Sequence, residues 1–178
     1  MEMEKKLKEL KEHISTYPDF PTPGIVFRDM FSLLRNPAAF KDLRDVMVEV
    51  TKRNIPDAQA VVGLESRGFL FGSVLAIELG IPFIPIRKPG KLPGELNSVT
   101  YQLEYGTDKF EIQKESVQPG LKVLLVDDLL ATGGSLKAGC QLIEESGGEV
   151  AGCLVIMELL ELRGRDKISQ PVFSLLEF

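Results

Sequence analysis

Histidine is almost missing from this chain: His13 is the single copy in 178 residues, and tryptophan is absent altogether. The two cysteines, Cys140 and Cys153, sit inside apolar patterns. No His/Cys metal cluster can be assembled from that inventory, and no convincing Ser-His-Asp triad either. The cysteines read as buried thiols in a reducing compartment rather than as a disulfide or metal pair, and His13 reads as solvated within a charged N-terminal helix. No apolar run reaches the roughly 18–20 residues that would span a bilayer. The start, Met1-Glu2-Met3-Glu4-Lys5-Lys6, does not have the form of a signal peptide. A cytoplasmic protein with no membrane partner is expected. There is also no basic block: 21 Lys and Arg against 26 Asp and Glu leave a net charge of −5, which argues against nucleic acid as a partner. Neither G-x-x-x-x-G-K-[ST] nor a post-strand G-x-G-x-x-G occurs, and there is no internal repeat or low-complexity segment.

What is present is a soluble-globular composition, 44% hydrophobic and 26% charged, on a length that suits one domain over residues 1–178. Its most informative stretch is Leu121–Ser135. An apolar run rich in Val and Leu leads to Asp127 and Asp128, then to Ala131-Thr132-Gly133-Gly134-Ser135, and beyond that Leu136, Cys140 and Ile143 recur at helical spacing. Strand, loop and helix follow in that order. In parallel α/β sheets ligands sit beyond the carboxyl ends of strands, on the N-terminus of the next helix. Small residues, backbone N–H groups and two hydroxyls suit a phosphate dianion there. The two carboxylates would repel phosphate, so they require sugar hydroxyls or a divalent cation. The plainer alternative is an ordinary turn whose glycines serve geometry and whose acids cap the helix.

Two further strand ends carry the same chemistry. Ala60–Leu64 reads as a buried strand followed by Glu65-Ser66-Arg67-Gly68 and an apolar helix over about Phe69–Leu79. Arg67 suits bidentate phosphate binding, or else a salt bridge to Glu65 or another acid. Pro82–Ile86 reads as a third strand, at an edge because Pro85 lacks an N–H, and it ends in Arg87-Lys88-Pro89-Gly90-Lys91. Parallel strands with right-handed crossovers would gather these three rims. The predicted fold is therefore α/β, a mostly parallel sheet flanked by helices, with last strands at Val150–Met157 and Val172–Leu176.

The remainder is decoration with chemical potential. Residues 2–14 read as an amphipathic helix carrying Leu7, Leu10 and Ile14, and residues 37–53 as another, with Phe40, Leu43, Val46, Met47 and Val50 on one side. Tyr17–Gly24 holds Pro18, Pro21 and Pro23, which favour a stiff extended arm. That arm either docks on the core or presents Phe27 as a stacking face and the backbone near Val26 as hydrogen-bonding edges for a planar base. Residues 98–113 alternate about Gly106 and read as a hairpin. It is inserted between sheet units without an evident core partner, and is either an edge or dimer contact or a lid bearing Glu104 and Tyr105.

The order V-D-D-L-L-A-T-G-G-S closely resembles the phosphoribosyl pyrophosphate motif of the type I phosphoribosyltransferases. The arm F-P-T-P-G-I-V-F-R-D, the loop G-L-E-S-R-G-F-L-F-G, the run I-R-K-P-G-K-L-P-G, the hairpin Y-Q-L-E-Y-G and the ending P-V-F-S-L-L-E-F resemble the adenine phosphoribosyltransferases within them. The resemblance implies a type I phosphoribosyltransferase fold, with a hood of helix and base-binding arm over about 1–35 and a hairpin lid over about 95–113. It implies magnesium-dependent, reversible conversion of adenine and phosphoribosyl pyrophosphate to AMP and pyrophosphate, in a homodimer. Carried onto matching positions, Ala131, Thr132, Gly133, Gly134 and Ser135 would hold the 5′-phosphate, with Asp127 and Asp128 facing the ribose hydroxyls. Arg67 and Lys88 would contact the pyrophosphate, Lys91 would also bind phosphoribosyl pyrophosphate, and Val26, Phe27, Arg28 and Leu159 would hold adenine. Glu104 would handle a purine ring proton and Tyr105 would help close the lid. Magnesium would be bound through the substrate near Asp127 and Asp128, with no direct protein ligand. Glu65 in place of Asp and Ser135 in place of Thr are the departures. No basic residue falls within Val155–Leu160 to read a 6-oxo group, which disfavours a 6-oxopurine substrate.

Overall fold

The computed structural model describes residues 2–102 and 106–178. Glu104 and Tyr105 lie outside the described residues. The chain divides into two compact units, Met1–Glu49 and Val50–Phe178.

The first unit begins with α1 (Glu2–Glu12), where Leu10 is buried. His13 is exposed and lies just past the helix rather than in it. The arm does not run extended. It folds into two antiparallel strands, β1 (Ser15–Pro18) and β2 (Val26–Asp29), with Tyr17 opposite Phe27. The reversal is closed by the Asp19 carboxylate, which accepts from Gly24 N at 2.7 Å, and by Gly24 at φ +87°. The prolines exclude helix here, but a short Asx-type loop turns the chain as readily as it extends it. Asp29 caps α2 (Met30–Leu34) by accepting from Phe31 N at 3.0 Å. Asn36 accepts from Ala38 N and Ala39 N at 3.1 and 3.2 Å, ahead of Pro37 in the first position of α3 (Pro37–Asn54). This is the N-cap and N1 chemistry expected of those residue types. The last turn of α3, from Val50, falls in the second unit.

The second unit is built on five parallel strands. β3 (Ala60–Leu64), β4 (Phe83–Ile86), β7 (Lys122–Leu130), β8 (Glu149–Glu158) and β9 (Val172–Glu177) stand in the order β4-β3-β7-β8-β9. Strands in such a sheet are covered on both faces and read as continuous apolar runs, and all five residues of β3 are buried. Two helices serve the central strands, α4 (Arg67–Leu79) after β3 and α5 (Gly134–Glu145) after β7. Pro85 lies on the edge strand, as its missing N–H requires.

Two expectations are corrected. Asp127 and Asp128 do not follow the strand; they belong to it. β7 continues to Leu130 because β8 keeps pairing with it, Asp127 opposite Val155 and Leu130 opposite Glu158. The hairpin β5 (Leu96–Gln102) and β6 (Thr107–Gln113) also has a core partner. Val99, Tyr101, Phe110 and Ile112 are buried in one cluster with Ile84, Ile86, Leu136, Cys140 and Ile143. Arg87 and Glu111 exchange backbone hydrogen bonds at 2.9 and 2.8 Å, tying the hairpin to the end of β4. Cys140 and Cys153 are buried thiols with their sulfurs 3.6 Å apart. Contact with Cys140 and burial both push the Cys153 thiol pKa up.

Candidate active site

The central strands end side by side, and their ends enclose a cavity of about 370 Å³. Its walls are Leu64–Arg67 after β3, Lys88 after β4, Phe110 from the hairpin, and the run from Asp127 to Leu136. The three rims expected to converge do so. β3 stops at Leu64 while β7 runs on, which leaves Asp127 and Asp128 beside the loop that starts α4. That loop enters through a cis Glu65–Ser66 peptide and comes down tightly. A Cβ on Gly68 would stand 2.6 Å from Val126 O and 3.2 Å from Asp127 Oδ1.

The loop from Ala131 to Gly133 bends into α5 with Gly133 at φ +83°, in the left-handed region that glycine alone adopts cheaply. No side chain caps the helix, and the first N–H groups of a helix have no partners within it. The cradle is backed by a second glycine that sequence reasoning missed. A Cβ on Gly133 would collide with Gly164 O, and one on Gly164 would collide with Ala131 O. Only a glycine pair lets these backbones touch. The one available signal was a glycine between two arginines, Arg163 and Arg165, in a segment legible only as charged.

That segment is clamped. Arg165 makes a two-pronged pair with Glu158, and also donates to Val172 O at 2.5 Å and Ser174 Oγ at 2.9 Å. Glu158 is 3% exposed. Burial would raise its pKa, but Arg165 and Ser174 outweigh that and hold it below the usual range. Leu159 follows directly, its N–H donating to Leu130 O at 3.0 Å. It does not line the cavity, but Leu130, which accepts that hydrogen bond, does.

Every basic group expected at a pyrophosphate has an acidic partner. Arg67 Nε donates to Asp128 Oδ2 at 2.5 Å, the salt bridge expected as the alternative role of that arginine, with Asp128 rather than Glu65 as partner. Glu65 is a hub instead. It accepts from Lys91 Nζ at 2.5 Å, from Lys88 N at 2.8 Å and from Arg87 Nε at 3.2 Å. Burial pushes the Glu65 carboxyl up, and these donors override it and hold the pKa at about 2. Lys91 therefore stands one step outside the cavity lining. Lys88 pairs with Asp108, and its Nζ also lies 3.1 Å from Tyr101 Oη.

Asp127 differs from the rest. Burial, reinforced by the neighbouring Asp128 charge, pushes its carboxyl well above the usual range, and Arg67 offsets this only in part. Two adjacent carboxylates with one guanidinium between them have room for more positive charge. Among the described residues no group of three or more His, Cys, Asp or Glu could hold a metal. The two acids would suit a cation that a ligand brings on its own oxygens.

The residues expected at a base are divided. Val26, Phe27 and Arg28 lie on β2 in the first unit, with the Phe27 ring meeting Phe20 edge-on at 5.1 Å between centroids and Arg28 Nη1 donating to Thr16 Oγ1 at 3.2 Å.

The family model described as a phosphoribosyl transferase domain matches residues 31–177. A curated adenine phosphoribosyltransferase of Drosophila pseudoobscura pseudoobscura is 52% identical over 175 residues, 98% of this chain and 97% of that one. The crystal structure of adenine phosphoribosyltransferase from Saccharomyces cerevisiae, complexed with an imino-altritol bisphosphate and adenine, superposes with a TM-score of 0.94 at 45% identity, covering 97% of this chain and 99% of that one. The Trypanosoma brucei enzyme, complexed with AMP, pyrophosphate and ribose 5-phosphate, superposes at 0.85 with 27% identity, over 97% of this chain and 79% of that one.

Proposed function

Since the chain belongs to the phosphoribosyl transferase family and, within it, to the adenine phosphoribosyltransferases, we propose that the cavity beyond β3, β4 and β7 is where it joins adenine to a phosphoribosyl group. The chain is a purine-salvage enzyme that transfers the 5-phosphoribosyl group of phosphoribosyl pyrophosphate to adenine, giving AMP and pyrophosphate. The observation that carries the site assignment is the convergence of three strand ends on one cavity, with a left-handed glycine opening a helix on one side and acid-matched cations on the other. The ligands named for the yeast and trypanosome relatives, adenine, AMP, pyrophosphate and ribose phosphate, support the same division.

On this reading the N–H groups and hydroxyls of Ala131, Thr132, Gly133, Gly134 and Ser135 hold the 5′-phosphate. Asp127 and Asp128 accept from the ribose hydroxyls. Arg67 and Lys88 contact the pyrophosphate, and Lys91 adds charge behind Glu65. Adenine is assigned to Phe27 for stacking and to the backbone edges of Val26 and Arg28, with Leu159 as a further apolar contact. Glu104 takes up the proton that the ring nitrogen must shed, and Tyr105 helps to exclude water. Magnesium, held by substrate oxygens near Asp127 and Asp128, would neutralise charge developing on the departing pyrophosphate. Alignment of two bound substrates supplies about 7–11 kcal/mol, whereas one positioned acid or base supplies roughly 3–5 kcal/mol. Positioning by the cradle and the cations therefore outweighs the proton transfer at Glu104.

A cytoplasmic homodimer completes the proposal. The two buried thiols suit a reducing compartment. The outer face of α4 leaves Leu70 39% and Ile77 80% exposed, an apolar strip that supports a second copy.

The test is incubation with magnesium, phosphoribosyl pyrophosphate and each purine base in turn, followed by measurement of nucleotide. AMP from adenine is expected. Activity with hypoxanthine or guanine alone would overturn the base assignment, and binding without turnover would point to a regulator.

A further inference from the structure

Asp108 does not line the cavity, yet it holds one of the site's cations. It stands on β6 directly across from Tyr101 of β5. Its Oδ2 pairs with Lys88 Nζ and accepts from Tyr101 Oη at 3.3 Å, while its Oδ1 accepts from Lys109 N at 2.8 Å. Lys88 Nζ in turn lies over the Phe110 ring, 4.9 Å from its centroid, and Lys88 and Phe110 both line the cavity. The ammonium is thus held against the hairpin.

The three acids that match the site's cations are not equivalent. Asp128 and Glu65 are deeply set, with side chains 6% and 9% exposed, whereas that of Asp108 is 26% exposed. Asp108 also keeps partners if its cation leaves, because the Tyr101 hydroxyl and the Lys109 N–H remain as donors. A buried carboxylate stripped of its partner is strongly penalised; this one stays hydrogen-bonded and partly solvated. Lys88 is equally prepared to move. Its backbone N–H is fixed by Glu65 at 2.8 Å, so its flexible stem can swing from a stationary base.

We infer that Asp108 is a positioning residue that competes with pyrophosphate for Lys88, restraining the affinity for this product and thereby hastening its release. The inference rests on the assignment of Lys88 to pyrophosphate made above. A pyrophosphate oxygen and the Asp108 carboxylate are rival acceptors for one ammonium, so ligand binding exchanges one charge-assisted hydrogen bond for another. The net gain is smaller than Lys88 could give alone. The charge states agree with such a pair. Burial pulls Lys88 down and Asp108 up, but the contact between them wins at both ends, leaving Lys88 above and Asp108 below their ordinary values.

A purely structural role predicts that removing the acid loosens the hairpin and weakens binding; competition predicts the opposite sign. Asp108→Asn should bind pyrophosphate more tightly, by roughly 3- to 10-fold for a partly exposed ion pair, with stronger product inhibition and an unchanged KM for adenine. In a Lys88→Met background the same change should do nothing. Pyrophosphate affinity is measured by calorimetry on the full chain with magnesium present, and a melting curve checks folding. Asp108→Ser repeats the measurement should Asn fail to fold. Equal or weaker pyrophosphate binding in a folded variant overturns the inference, as does a gain that persists in the Lys88→Met background, which would be general charge removal. If the unaltered chain neither binds pyrophosphate nor forms AMP, the site assignment itself falls, a different result from a silent Asp108 in an active enzyme.

Discussion

Arg67 Nε and Asp128 Oδ2 lie 2.5 Å apart, joining the start of α4 to the end of β7 across the floor of the cavity. The guanidinium is 44% exposed and the carboxylate 6%, so each is poised differently. Arg67 can turn toward a ligand in solvent; Asp128 cannot be left alone without cost. A ligand that takes Arg67 must bring hydroxyls or a cation for Asp128, which is what a ribose pyrophosphate with magnesium provides.

Asp128→Ala removes the buried partner rather than the exposed one. The expected result is a rise in KM for phosphoribosyl pyrophosphate of about 10-fold or more, the scale of one charge-assisted hydrogen bond, with adenine binding little changed. Steady-state kinetics in both substrates checks this. Unchanged parameters would remove Asp128 from the sugar site.

Gly133→Ala should damage the cradle selectively. The added Cβ meets both a left-handed φ and the Gly164 carbonyl, a strain of roughly 1–3 kcal/mol before any shift of the loop. AMP and ribose 5-phosphate affinity should fall about 10- to 100-fold, while magnesium-pyrophosphate binding persists. Gly134→Ala is the control, since its Cβ would find nothing nearer than Gln102 O at 3.5 Å. Equal losses in the two variants would mean that conformation is not the cause.

Glu104→Gln should slow turnover by about 10²–10⁴-fold and spare phosphoribosyl pyrophosphate affinity, because the groups assigned to the sugar lie elsewhere. Titration of the variant with phosphoribosyl pyrophosphate decides it. Lost sugar-phosphate affinity would require a different role for Glu104.

The acid limb of stability should report Glu65. Its folded pKa of about 2 lies below the ordinary value of 4.5. A depressed carboxyl stabilises the fold fully above its unfolded pKa, and that stabilisation is lost as pH falls through the folded pKa. The window is therefore from about pH 5 down to 2, and the size about 1–3 kcal/mol once solvent screening at the half-exposed Lys91 is included. Denaturant titrations at stepped pH should give a shallower acid limb in Glu65→Gln. Parallel limbs would mean that Arg87 and Lys91 hold other partners.

How much of this was legible beforehand follows from the range of the interactions. β3 was readable to the residue, because a strand buried on both faces announces itself as an unbroken apolar run, Ala60–Leu64. The order of acids and glycines from Asp127 to Ser135 was readable because it is local. The extension of β7 through both acids was not, since it depends on pairing with β8 nearly thirty residues away in sequence. The core role of the hairpin was hidden for a similar reason: Val99 and Phe110 alternate like any edge ribbon, and packing with β4 and α5 buries them. Asp128 as the partner of Arg67, Asp108 as that of Lys88 and Glu65 as an ion hub are side-chain meetings across different strand ends, beyond the reach of periodicity.

Arg165→Met tests whether the cradle depends on its backing. Glu158 is buried at the end of β8, and Arg165 is the cation that compensates it. Removing one partner of such a pair is expected to cost about 3–5 kcal/mol, less what the partly exposed Arg165 already shares with solvent. Between the two residues runs the segment that carries Leu159 and sets Gly164 against Ala131 and Gly133. If the clamp serves only the fold, the variant melts earlier and its folded fraction retains native KM values. If it seats the cradle, KM for phosphoribosyl pyrophosphate rises at temperatures where the variant is fully folded. The companion change Glu158→Met in the Arg165→Met background then separates the two effects. It removes the orphaned charge and should recover much of the lost stability, yet leave the phosphate affinity impaired, because neither methionine can hold Val172 O and Ser174 Oγ as Arg165 does. Recovery of both together would make the ion pair a matter of stability alone.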